Sequence, residues 1–138
     1  MKNYISYVIT MALIGVLAGC GSSSGSGSVA NGDPYDGTFV GTEAGTQNGV
    51  SFSQTVVFTL EQTGTSLSGT WSNNAGTSNG TLSGTVSGNN ANITILQNQC
   101  AGSLTGTSTI SGNTMTATIS GTLVAPCGTI SASVVASK

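Results

Sequence analysis

Six side chains in this 138-residue chain carry formal charge, and they set the limits of its chemistry. The bases are Lys2 and Lys138; the acids are Asp33, Asp36, Glu43 and Glu61. Histidine and arginine are absent. Without histidine, Ser-His-Asp and Cys-His nucleophiles and His-metal centres are excluded, together with the side chain that most often moves protons near neutral pH. Two lysines far apart in the sequence cannot build a phosphate clamp or a nucleic-acid footprint. Asp33 and Asp36 flank Pro34-Tyr35 and could bring two oxygens together. Calcium takes roughly six to eight, and the Asp-x-Asp-x-Asp-Gly spacing of a calcium loop is missing, so these two read as turn formers. Glu43 and Glu61 are the remaining carboxylates, and nothing in the sequence sets them across a cleft as a glycosidase pair. The composition argues against an enzyme and calls for no metal or other cofactor.

Three cysteines remain as reactive groups, and their surroundings separate them. Cys20 follows a basic start at Lys2 and a mostly apolar stretch from Ile5 to Leu17. That stretch is shorter than the roughly 20 residues a membrane-spanning helix needs, and it suits the core of a signal peptide. It ends in Leu17-Ala18-Gly19-Cys20, which resembles the bacterial lipobox at all four positions. The resemblance covers residues 1–20. It implies cleavage before Cys20 and acylation of that residue, and two or three acyl chains hold a protein stably on a bilayer. An ordinary secretory peptide is the alternative, but no Ala-x-Ala-like site is placed as well as the lipobox. Gly21, in place of Asp, favours the outer membrane under the enterobacterial sorting rule. Residues 1–19 are thus expected to be a lipoprotein signal peptide. Residues 20–32 are an acylated cysteine and tether, and residues 33–138 a single domain in the cell envelope. The run Gly21–Ser28 contains only Gly and Ser, a flexible coil with a reach of roughly 15 Å. Cys100 and Cys127 are then left as a pair in an exported protein, where a disulfide forms and persists. No Cys-x-x-Cys spacing or basic neighbour marks them as reactive thiols.

The elements that carry these residues read as β-strands. Gly, Ser and Thr, 21 of each, make up 63 of the 138 positions, and no window from Asp33 onward shows a helical apolar period. Two-residue alternation places Val56, Phe58 and Leu60 on one face. The same holds for Leu67, Gly69 and Trp71, for Leu82, Gly84 and Val86, and for Ile93 with Ile95. It continues through Leu104, Gly106, Ser108 and Ile110, then Met115, Ala117 and Ile119, then Ile130, Ala132 and Val134. Turn residues separate these runs at Thr63-Gly64, Ala75–Gly80, Ser87–Asn90, Ser111–Asn113 and Pro126–Gly128. With a first strand at Tyr35–Glu43 the count is eight. Sequential hairpins of this kind predict an all-β, up-and-down antiparallel barrel, with a two-sheet sandwich as the alternative. Leu/Ile-Ser/Thr-Gly-Thr recurs at Leu67, Leu82, Leu104 and Ile119, as two hairpin pairs offset by 37 residues. A duplication and chance in so biased a composition both account for it. In each copy Gly shares the inward face, where its missing side chain permits strong coiling and close approach, and Thr and Ser face solvent.

Trp71 is the one tryptophan and shares the inward face of its strand, in the core or at the barrel mouth. It is the candidate ligand-binding residue, an aromatic wall for a small neutral ligand. Gly69-Thr70-Trp71 resembles a strand segment of avidin-type barrels, and the strand pattern is similar over residues 35–136. That resemblance implies the architecture; the several tryptophans of the family's biotin site are not matched here. The chain also resembles the lysozyme-inhibitor lipoproteins, small lipid-anchored barrels with a cysteine pair, which implies protein binding in the envelope. Their internal basic residue and Tyr-x-Cys motif are absent here. Two readings follow. A cavity beside Trp71 would serve a small ligand, whereas a barrel filled by Leu, Ile and Met would favour a protein inhibitor or adhesin acting through the loops, with no interior ligand. In either case the membrane is met through Cys20, and no nucleic acid is expected.

Overall fold

The computed structural model describes residues 33–138. The signal peptide, the tether and the lipidation residue Cys20 lie outside the described residues. Eight antiparallel strands follow one another: β1 Gly37–Gln47, β2 Val50–Thr63, β3 Ser66–Asn73, β4 Asn79–Ser87, β5 Asn90–Gln97, β6 Ser103–Ser111, β7 Thr114–Leu123 and β8 Gly128–Ser137. Each pairs with its neighbour, and β1 pairs with β8 from Val40↔Ser137 to Gln47↔Ile130, so the sheet closes into an up-and-down barrel. Closure gives the backbone polar groups of the wall partners on both sides and removes most of the exposed edge.

The alternation read from the sequence sets the two faces. Phe58, Leu60, Leu67, Leu82, Ile93, Ile95, Leu104, Met115, Ile119 and Val134 are buried inside. Their outward neighbours form rows of hydroxyls across the strands, such as Ser68↔Ser83, Thr94↔Thr105 and Ser120↔Ser131. An apolar interior with a hydroxyl-bearing exterior is the reverse of a membrane-spanning barrel, whose outer band is apolar. The interior is filled. The spaces left along its axis have volumes of about 10 Å³ each.

The repeated Leu-x-Gly pattern has a direct packing role. Leu67 lies opposite Gly84, and Gly69 opposite Leu82, so each leucine of the β3–β4 hairpin covers its partner's glycine. In the β6–β7 hairpin Gly106 lies opposite Ile119. The close approach that these glycines allow is to the adjacent strand rather than across the barrel. A Cβ at Gly69 would strike the Thr59 carbonyl oxygen on β2, and one at Gly106 would strike that of Thr118 on β7. The strands coil sharply enough for a neighbour's backbone to take up the space of a side chain.

The two ends differ. At one end the connections are two residues long, at Gly64-Thr65, Gly88-Asn89 and Gly112-Asn113. Tyr35 plugs this end. The sequence pattern opens the first strand at this residue; in the structure it precedes β1, turns inward and is fully buried. Its hydroxyl donates to the carbonyls of Asn89 (3.1 Å) and Ser108 (3.0 Å), and its N–H donates to Gln62 Oε1 (3.3 Å). A turn holds it there: the Asp36 N–H donates to the Asp33 carbonyl, and Asp36 Oδ1 accepts from the Gln62 N–H. Both aspartates thus act at a turn, as their spacing implied. Lys138 closes the same end, its ammonium donating to the carbonyls of Pro34 (3.0 Å) and Asp36 (2.6 Å) and lying 5.0 Å from the Phe39 ring centre.

Candidate binding site at the barrel mouth

The opposite end carries the longer connections, residues 74–78, 98–102 and 124–127, together with the tip of the β1–β2 hairpin. That hairpin turns at Asn48-Gly49, with φ of 52° and 80°, the left-handed pair of a type I′ turn for which Asn-Gly is the preferred sequence. Its strands reach past β3, because β2 pairs with β1 from Val50 but with β3 only from Val56. The overhang is fastened to the neighbouring β7–β8 loop and the start of β8. Asn48 donates to the Cys127 carbonyl (3.2 Å) and accepts from the Thr129 N–H (3.0 Å), while Gln47 donates to the same Cys127 carbonyl (2.9 Å). Cys100 and Cys127 are joined by a disulfide with a Cα–Cα separation of 6.2 Å, which ties the β5–β6 loop to the β7–β8 loop. The cysteine pairing and its place at one end of the barrel follow the sequence reading.

Beneath these loops lies a pocket of about 150 Å³, lined by Glu43, Phe52, Gln54, Trp71 and Gln97 among others. Trp71 stands inward and buried, as its alternation required. Its cross-strand partner is Gly80, where a Cβ would lie 2.9 Å from the indole nitrogen, so the glycine makes room for the ring. The indole N–H donates to the Leu96 carbonyl (3.3 Å). Trp71 therefore offers the pocket a π surface and not its donor.

Glu43 is the functional candidate that the sequence did not single out. It points inward, with only 6% of its surface exposed, and its cross-strand partner is Gln54. A relay of amides fixes how they meet. The Ser78 N–H donates to Asn73 Oδ1 (3.1 Å), which turns the Asn73 amide nitrogen toward Gln54 Oε1 (3.1 Å). The Gln54 amide nitrogen must then face Glu43 Oε2, to which it donates at 2.7 Å. Glu61 lies on the outer face of β2, exposed, so the two glutamates are on opposite sides of the wall and form no pair.

Burial raises the Glu43 carboxyl above its ordinary value near 4.5, and the Gln54 hydrogen bond opposes this less strongly. A group whose pKa is higher folded than unfolded stabilises the fold fully below its unfolded value. That contribution is lost as pH rises through the folded value. Glu43→Gln keeps the shape and the acceptor for Gln54 but removes the charge. We expect it to unfold at a higher denaturant midpoint than the parent at pH 7 and at nearly the same midpoint near pH 4, measured by chemical denaturation. Equal midpoints at pH 7 would mean that the carboxylate is not desolvated.

Fold and site together define a small closed β-barrel with a packed centre and a polar, aromatic mouth. The chain matches no protein-family model, and no curated protein matches it.

Proposed function

We propose that this protein is a lipid-anchored, non-enzymatic binding module of the bacterial envelope that takes its ligand at the barrel mouth. The observation that carries this reading is the polarity of the barrel. Residues 33–36 join β1 at the end plugged by Tyr35, whereas the 150 Å³ pocket opens at the other end. A tether running from Cys20 to Asp33 would hold the closed end toward the membrane and present the mouth to the surroundings. The filled interior restricts a ligand to the level of Trp71 and Glu43. Pockets that take drug-sized ligands span roughly 300–1,000 Å³. A pocket of 150 Å³ suits a single small head group, or a side chain of a larger partner. The sparse acid–base chemistry of the sequence supports a binding role over catalysis.

The anchor is tested in the cells. Cys20→Ala, or inhibition of the lipoprotein signal peptidase with globomycin, should block maturation, and Cys20→Ala should release the exported protein from the membrane fraction. Unchanged processing with globomycin, or an exported Cys20→Ala protein that stays membrane-bound, would overturn the anchored reading.

A further inference from the structure

Glu43 is a carboxylate more than nine-tenths buried, lining an open pocket, with no counter-ion. Lys138 is the one basic side chain among the described residues, and it is hydrogen-bonded at the far end of the barrel. An ionised carboxylate offers about four acceptor sites, and Glu43 fills one of them, on Oε2, with the Gln54 amide. Three donors at the mouth are turned into the wall. The Gln47 amide nitrogen donates to the Cys127 carbonyl, the Gln54 amide nitrogen to Glu43, and the indole N–H to Leu96. With these donors engaged in the wall, the pocket presents the open acceptor sites of Glu43 and the rings of Trp71 and Phe52, beside the Gln97 amide and the Ser78 hydroxyl, each of which can accept as well as donate. Acceptor oxygens beside aromatic faces are the surroundings that an organic cation finds favourable. An anion would meet no positive charge. The four carboxylates and single lysine of residues 33–138 also make the surrounding field negative.

We infer that the mouth pocket binds an ammonium or guanidinium group, with Glu43 as its counter-ion and Trp71 and Phe52 as its walls. The group can belong to a small amine or to a Lys or Arg side chain. This inference rests on the mouth being the ligand site and goes on to name the ligand's chemistry. Binding selects the ionised carboxylate, so affinity should rise as pH increases through the Glu43 titration. No other titratable group lines the pocket, since Cys127 is held in the disulfide.

Trp71, as the only tryptophan in the chain, reports on the pocket directly. The full-length protein in detergent is titrated with n-butylammonium, with N-acetyl-lysine methylamide and with the neutral isostere 1-butanol, reading Trp71 emission. A saturable change with the cations, weaker by about tenfold or more with butanol and in Glu43→Gln, is the expected result. Preference for the lysine derivative over the free amine would assign the group to a protein side chain, and the reverse preference to a small molecule. Butanol binding as tightly as butylammonium, or Glu43→Gln binding the cations unchanged, would overturn the cation assignment and leave the mouth as a neutral site. No response to any probe, with Glu43→Gln equally silent and both proteins folded by circular dichroism, would overturn the mouth as a ligand site as well.

Discussion

Gly106→Ala should destabilise the domain by at least about 3 kcal/mol, at or beyond the top of the range for overpacking a core. One methyl group has this effect because of where it points. A Cβ at Gly106 would overlap the Thr118 carbonyl oxygen, lie 2.8 Å from its carbon and 2.9 Å from Ile119 Cα. These are backbone atoms of the paired strand, so no side chain can swing aside. The strands must part, and the ladder that closes the barrel between β6 and β7 opens with them. Thr107→Ala, one residue along and facing outward, should change stability by no more than about 0.5 kcal/mol, as exposed substitutions usually do. Urea denaturation of the two variants beside the parent decides the matter. Equal midpoints would mean that the strands are less tightly coiled than described.

Replacing Cys100 and Cys127 together with serine should cost about 3–4 kcal/mol, the chain-entropy value for a cross-link spanning 27 residues. For a domain of this size the melting temperature should fall by roughly 15 °C. The bond joins two loops at the mouth end, where Cys100 belongs to the apolar core and Cys127 packs against it and lines the pocket. Its loss should therefore loosen the mouth first. Hydrogen exchange should speed up at residues 98–102 and 124–127 before it changes at the plugged end around Tyr35. Calorimetry and exchange on oxidised and reduced protein read both effects. A melting temperature that is unchanged on reduction would remove the disulfide from the stability account.

Much of the wall was legible because one physical rule writes it. From β3 to β8 the inward positions are bulky apolar residues, alanine or serine, or glycines covered by a neighbour, with Asn73 and Gln97 at the mouth ends of β3 and β5 as the exceptions, so the two-residue period survives translation into side chains. The rule fails at the mouth. The inward positions of β1 beyond Phe39 are Gly41, Glu43, Gly45 and Gln47, and β2 begins with Phe52 and Gln54. Without an apolar period the first strand reads as ending at Glu43, when it runs to Gln47 and turns at Asn48-Gly49. That Asn-Gly dipeptide is itself a strong hairpin signal and would have extended the strand. Extending it would have put Glu43 opposite Gln54 and inside the barrel. The strand segment hardest to read is thus the one that lines the pocket, where polar residues at core positions disturb the apolar pattern, as departures at a functional site do. Tyr35 escaped for another reason. Its burial depends on a turn at Asp33–Asp36 and on carbonyls contributed 54 and 73 residues later, and no local pattern encodes that.

The sparse charge takes on a sharper meaning in this light. Of the charged side chains among residues 33–138, Glu43 alone is buried, and it lines the mouth pocket beside Trp71 with an amide for a partner and no cation among the described residues. Amide chemical shifts of the protein, mapped by NMR while n-butylammonium and 1-butanol are added in turn, locate the site whichever probe binds. Binding at the mouth should concentrate the shifts at Glu43, Phe52, Gln54, Trp71 and Gln97 and leave Tyr35 and the tight turns unmoved. Shifts centred on the plugged end or on the hydroxyl face, with the mouth silent, would contradict it.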